Sequence, residues 1–248
     1  MPPPFTMNSF RGKQVLALVR DGDFAHAGEE DAIEMTLAKT AKDPARRLLD
    51  AGCGRGGTAA YMQHHGWGRV TGFDIDAASI ESARAAYPAL RFFACDMLRL
   101  PEKADHDFDL ITLFNVLYAI PEQAAALAAL AAVAAPGAEL LLFDYSAGAT
   151  AEADDGWDFL PAPLDPTALP VLLRTAGWEL QDIEDITDAY VRWYVALVAK
   201  ITAKRNAIED LAGPEGYAHV LGRYSDLLAR LEDGRLSGVI VRARRSDT

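Results

Sequence analysis

The chain has 248 residues, half of them hydrophobic, with 36 acidic against 24 basic residues and a formal charge of −12. That size and apolar content suit one domain with an elaboration. The acidity argues against a nucleic-acid or anionic-membrane partner, because neutralising phosphates needs a basic face and the only basic run lies between Arg242 and Arg245. Two cysteines, Cys53 and Cys95, make neither a disulfide framework nor a four-ligand zinc site. No metal-ligand spacing appears, so no metal is expected. Met1 to Phe5 lack a basic-then-apolar signal pattern and no apolar run would span a bilayer, so the expected location is cytoplasmic.

In chain order, Phe10 to Arg20 predicts an amphipathic helix broken at Gly22, and Glu29 to Lys42 a second helix stopped by Pro44. Arg47 to Asp50 reads as a short strand running into glycines. Thr58 to His65 then reads as a helix, Val70 to Asp74 as a strand, Ser79 to Ala86 as a helix and Leu90 to Cys95 as a strand. Asp109 to Phe114 is a continuous apolar strand of the kind buried on both faces. An alanine-rich helix runs from Pro121 to Pro136-Gly137, with Leu127, Leu130 and Val133 as its apolar stripe, followed by the strand Ala138 to Phe143. Ala147 to Asp155 reads as a polar loop, Asp165 to Ala176 as a helix and Trp178 to Ile183 as a strand. Asp188 to Leu211 and Glu215 to Leu231 read as helices separated by Gly213-Pro214, and Gly238 to Ala243 as the closing strand. The alternation predicts an α/β fold, a mostly parallel seven-stranded sheet with helices on both faces. Residues 1–43 are expected to form an N-terminal helical cap. Residues 44–248 are expected to form the main domain, with a helical insertion at about 188–232 before the last strand.

The chemistry gathers at the strand ends. Gly52, Gly54 and Gly57 fit G-x-G-x-x-G between a strand and a helix, where glycine lets the backbone turn tightly and approach a nucleotide. That motif alone opens a nicotinamide-binding domain equally well. Asp50, behind the glycines, suits an ammonium and a sulfonium better than a pyrophosphate. Asp74, about twenty residues further on, has the spacing of a ribose-binding acid. Asp96 ends the third strand, where a carboxylate can accept from an adenine amino group, with Met97 beside it for apolar contact. Any one of these acids could simply cap the next helix. Three at successive strand ends are harder to explain that way.

Leu48 to Gly56 resembles the first motif of class I S-adenosylmethionine-dependent methyltransferases. Phe73-Asp74-Ile75-Asp76 is similar to their second motif and Cys95-Asp96-Met97 to their adenine-side acidic motif. Phe108 to Asn115 and Pro136 to Phe143 resemble their fourth-strand and pre-fifth-strand motifs. The resemblance implies a Rossmann-like methyltransferase fold, S-adenosylmethionine as methyl donor and S-adenosylhomocysteine as product. The cofactor-binding set expected is Asp50, Gly52, Cys53, Gly54, Gly57, Asp74, Ile75, Asp96, Met97 and Phe114. The segment Asp21 to Gly28 and the closing stretch Tyr224 to Val241 are further similar to sarcosine/dimethylglycine-type small-molecule methyltransferases, although Ser237 stands where a glycine is usual.

The acceptor is expected to be a small molecule, with an amine nitrogen favoured. Asn115, Tyr118 and His26 are the catalytic candidates, the first two because they follow the fourth strand. Asp144, Tyr145, Trp193 and Tyr194 are the substrate-binding candidates, since aromatic walls and a carboxylate suit a cationic amine. Trp193 and Tyr194 are adjacent on a helix and cannot share one face. Methylation of oxygen or sulfur is the alternative, and a nicotinamide-dependent oxidoreductase or a non-catalytic nucleotide-binding protein the alternative class. The sequence sets no oligomeric state.

Overall fold

The computed structural model describes residue 7, residues 9–152 and residues 160–246. The helices are α1 (Phe10–Arg20), α2 (Glu29–Leu37), α3 (Gly57–His64), α4 (Ala77–Ala86), α5 (Gln123–Val133), α6 (Leu169–Thr175), α7 (Thr187–Ala203) and α8 (Arg205–Glu232). The strands are β1 (Arg47–Ala51), β2 (Arg69–Asp74), β3 (Arg91–Ala94), β4 (Phe108–Phe114), β5 (Ala134–Ala147), β6 (Trp178–Asp185) and β7 (Leu236–Arg245). They form one seven-stranded sheet in the order β3-β2-β1-β4-β5-β7-β6. The first five strands are parallel to one another, and β7 runs antiparallel to both β5 and β6.

Side-chain alternation along the strands divides the interior into two cores. Leu48, Leu110, Leu141 and Phe143 face a core shared with α1, α2, α7 and α8, through residues such as Val15, Ile33, Tyr190 and Leu227. Leu49, Ile111, Leu140 and Leu142 face the opposite core, with Leu127 and Leu130 of α5 and Leu173 of α6. The central strands therefore read as unbroken apolar runs because both faces are covered. Strand order reverses between β1 and β4, which opens a crevice at the carboxyl ends of these strands.

Element boundaries differ from expectation where side chains compete with the backbone. Asp165 turns its carboxylate onto the N–H groups of Thr167 and Ala168, so α6 starts only at Leu169 and takes Pro170 in its first turn. α2 stops at Leu37, and the Thr40 hydroxyl beyond it donates to Glu139. β5 begins at Ala134, before Pro136, because the pairing with β4 carries a bulge between Phe108 and Leu110. The long helical region divides at Lys204, and α8 is kinked at Gly213, next to Pro214. The expected loop Ala147 to Asp155 runs past residue 152, outside the described residues. Among those residues no helix is long and apolar enough to cross a membrane.

Candidate active site

The loop from β1 to α3 is built from left-handed backbone. Gly52, Gly54 and Gly56 have φ of +76°, +54° and +88°, values that side-chain-bearing residues adopt only with strain. A Cβ on Gly52 would also lie 2.5 Å from a methyl of Val116. The loop is pinned to the end of β2. Gly52 and Cys53 both donate their N–H to the Phe73 carbonyl, at 2.8 and 2.9 Å, and Gly54 N–H donates to Asp74 Oδ2 at 2.8 Å. The other Asp74 oxygen accepts from the Asp76 N–H at 2.9 Å and pairs with Lys13 of α1 at 3.0 Å. Asp96 accepts from the Leu98 N–H and so caps the short 3-10 turn Met97–Glu102.

These groups open onto a cavity of about 380 Å³. Gly52, Gly54, Asp74, Ile75, Asp96, Met97 and Phe114 line it at one end. Ile75 is 73% exposed, a large apolar side chain left uncovered beside two carboxylates. Asn115, Tyr118, Tyr145 and Tyr194 line the other end, and the sequence reading missed Leu16, Arg223, Tyr224 and Leu227 there. Those four come from α1 and α8, which pack against each other. Their helices were legible, but which helix face meets the cavity was not.

Three expected cofactor contacts do not line the cavity. Gly57 packs under the loop before α2, where a Cβ would meet the Asp23 carbonyl at 2.7 Å. The Cys53 thiol is buried against its own loop, near the Gly54 carbonyl. Asp50 shares the sheet face of Leu48, and the Thr112 hydroxyl lies 3.4 Å from its Oδ1. Burial raises its carboxyl to about 7, and its buried Oδ2 receives no protein donor.

Three substrate-side candidates also lie off the cavity wall. His26 is buried between Phe24, Phe114 and Phe143. Its Nδ1 faces the Ala27 carbonyl at 3.1 Å, which can only accept, so Nδ1 carries the proton. Nε2 is then the acceptor for the Thr58 hydroxyl at 2.9 Å. Burial lowers the pKa to about 3, so the ring is a neutral structural bridge. Asp144 turns away from the cavity and accepts from the N–H groups of Leu117, Tyr118 and Tyr145, at 2.8, 3.3 and 2.8 Å. It fixes the turn Leu117–Ala119 that carries Tyr118, and burial raises its pKa to about 7. Trp193 lies against Gly28, where a Cβ would meet its ring at 2.6 Å, and so packs the N-terminal loop.

Asn115 lines the cavity. It has φ of +55°, and its N–H donates to the Phe143 carbonyl at 2.7 Å. Its amide Nδ2 donates to the Tyr190 hydroxyl at 2.9 Å, while Oδ1 is buried and receives no protein donor. Among the described residues no His, Cys, Asp and Glu cluster could hold a metal ion.

A family model described as a methyltransferase domain matches residues 24–183, more than half of the chain. Trans-aconitate 2-methyltransferase of Enterobacter sp. (strain 638) is 38% identical over 92 residues, covering 37% of this chain and 36% of that protein. Malonyl-[acyl-carrier protein] O-methyltransferase of Serratia marcescens is 31% identical over 135 residues, covering 54% and 52%. The chain thus spans about a third to a half of the length of these curated relatives. Phosphoethanolamine N-methyltransferase 2 of Haemonchus contortus, solved with phosphomonomethylethanolamine and S-adenosylhomocysteine, superposes with a TM-score of 0.85. That match covers 99% of this chain and 61% of the other at 14% identity, a likeness of fold.

Proposed function

The chain belongs to this methyltransferase-domain family, and we propose that it transfers the methyl group of S-adenosylmethionine to a small-molecule acceptor, an amine nitrogen bearing at least one N–H. The observation that carries this reading is one cavity joining the glycine loop and its acids to a chamber of tyrosines around Asn115.

The residues at the loop end fit the cofactor. Left-handed glycines leave Gly52 and Gly54 without side chains at the cavity wall. Asp74 would accept from ribose hydroxyls, Asp96 from the adenine amino group, and Ile75 and Met97 would flank the ring. The bound sulfonium supplies an electrophilic methyl group.

The chain's own task is then to hold and dry the nucleophile. A neutral primary or secondary amine keeps an N–H while its lone pair attacks, and Asn115 Oδ1 stands ready to accept that N–H. A hydroxyl acceptor would need a base, and among the described residues no histidine lines the cavity. His26, Asp50 and Asp144 do not line the cavity, and burial keeps the Tyr118 phenol protonated, raised to about 12. A carboxylate acceptor needs no base, but its lone pairs would meet the lone pairs of Asn115 Oδ1. We also propose that α1 and α2, with residues 188–232, act as a cap that closes the acceptor chamber.

The test is transfer of a labelled methyl group over a panel of amines, phenols, carboxylic acids and thiols. Labelling of amines with an N–H is the expected result. Transfer confined to oxygen or sulfur acceptors would refute the amine assignment.

A further inference from the structure

The Asp74 carboxylate is nearly full. An ionised carboxylate offers about four acceptor positions, shared between its two oxygens. Oδ1 accepts from the Asp76 N–H at 2.9 Å and from Lys13 Nζ at 3.0 Å. Oδ2 accepts from the Gly54 N–H at 2.8 Å. Among the described residues that leaves a single position, on Oδ2. The ribose of an S-adenosyl cofactor brings two adjacent O–H donors to this acid. One of them fits on Oδ2, and the other needs a place on Oδ1.

The two N–H donors are fixed in backbone. Gly54 belongs to the loop that Gly52 and Cys53 tie to the Phe73 carbonyl, and the Asp76 carbonyl accepts from the Ile80 N–H where α4 begins. Lys13 differs from both. It lines the cavity, and its ammonium sits at the end of a flexible alkyl stem. α1 is anchored further along, where the Leu18 carbonyl accepts from Lys204 Nζ at 2.7 Å and Arg20 pairs with Glu29 at 2.9 Å. The ammonium can therefore move while its helix stays. A destination lies beside it, since Asp76 Oδ2 is 3.7 Å from Nζ. The Asp76 side chain is 24% exposed against 9% for Asp74, so the charge would move toward water.

We propose that Lys13 is an exchangeable counter-ion of the ribose-binding acid. A ribose hydroxyl takes its place on Asp74 Oδ1, and the ammonium passes to Asp76. The proposal rests on the functional reading above only in taking an S-adenosyl compound as the ligand. Donor and product carry the same ribose, so the exchange weakens the binding of both by the same factor. Lys13 thereby speeds the release of S-adenosylhomocysteine after transfer.

The experiment is calorimetric titration of the full chain and its variants. K13M binds S-adenosylhomocysteine about tenfold more tightly than the wild type, because the competing ammonium is gone. Equal or weaker binding by K13M overturns the exchange and makes Lys13 a bystander or a direct ligand contact. Adenosine and dideoxyadenosine, which lacks both ribose hydroxyls, separate competition with the diol from a general effect of charge. K13M tightens adenosine and leaves dideoxyadenosine in place, whereas equal tightening of both overturns the exchange. D76N removes the charge that receives the displaced ammonium. It weakens S-adenosylhomocysteine about threefold in the wild type and leaves K13M unaffected. D76N reports on the exchange even if K13M folds poorly, and unchanged or tighter binding by D76N overturns it. Binding of S-adenosylhomocysteine that is indifferent to Lys13 overturns the exchange and leaves the functional reading standing. The expected Lys13 dependence without methyl transfer to any acceptor upholds the exchange and overturns the functional reading. No binding of S-adenosylhomocysteine by any form overturns both.

Discussion

The two ends of the cavity are made of different material. The loop end is largely backbone: glycines with positive φ, strand-end N–H groups and two acids, all between Gly52 and Met97. The acceptor end is side chain, assembled from α1, the turn after β4, β5, α7 and α8, positions as far apart in sequence as Leu16 and Leu227. A site made from backbone geometry is fixed by the sheet and carries over wherever the sheet is kept. A site made from side chains on packed helices can change its ligand by single substitutions while the sheet stays the same. The name of a relative with the same sheet therefore says more about the donor than about the acceptor.

Substitutions should divide along that line. Asp74→Ala should have the largest effect, and only at the loop end. It removes the acceptor of the Gly54 N–H and the acceptor proposed for ribose hydroxyls. Two charged hydrogen bonds of about 1.5 kcal/mol each correspond to roughly a 100-fold rise in the Kd for S-adenosylhomocysteine by calorimetry. Asn115→Gly should act at the acceptor end. Glycine accepts φ of +55° without strain. Loss of Oδ1 should cost about tenfold in kcat/KM, with cofactor affinity unchanged. An equal loss in both readouts would erase the division between the ends.

His26→Gln should have the smallest effect on turnover and a clear effect on stability. The buried ring stays neutral to about pH 3, whereas in the unfolded chain it takes up a proton near its ordinary 6.5. Its contribution is therefore complete above about pH 6.5 and is lost as pH falls from 6.5 toward 3. Asp50 and Asp144 work in the opposite sense. Raised to about 7, they favour the fold at low pH and lose that contribution as pH rises from about 4 through 7. Both proteins keep these acids, so the difference between them isolates the histidine. Urea midpoints should fall more steeply with acid in the wild type than in the variant. A large drop in kcat for His26→Gln would restore it to the chemistry.

The loop end was legible because strand, glycines and spaced acids are local patterns, and Asp74 sits where the spacing puts it. Asp50 and Gly57 lie off the cavity wall, which the sequence did not reveal because a motif gives residue types and not the direction of a side chain. Alternation along β5 does contain that information for Asp144. Phe143 and Tyr145 share one face, so Asp144 faces the other. The same holds on α7, where Tyr190, Tyr194, Leu197 and Ile201 form the buried stripe and Trp193 falls beside it. Arg223 carries no local signal. It is a charged residue on an amphipathic helix until α8 packs beside α7 and brings it to Tyr118.

The most direct test is calorimetric titration of the wild-type chain with S-adenosylhomocysteine and, separately, with NAD. Saturable 1:1 binding of S-adenosylhomocysteine, abolished or strongly weakened by Asp74→Ala and absent for NAD, is the predicted result. Binding of NAD without S-adenosylhomocysteine would contradict the account at its centre.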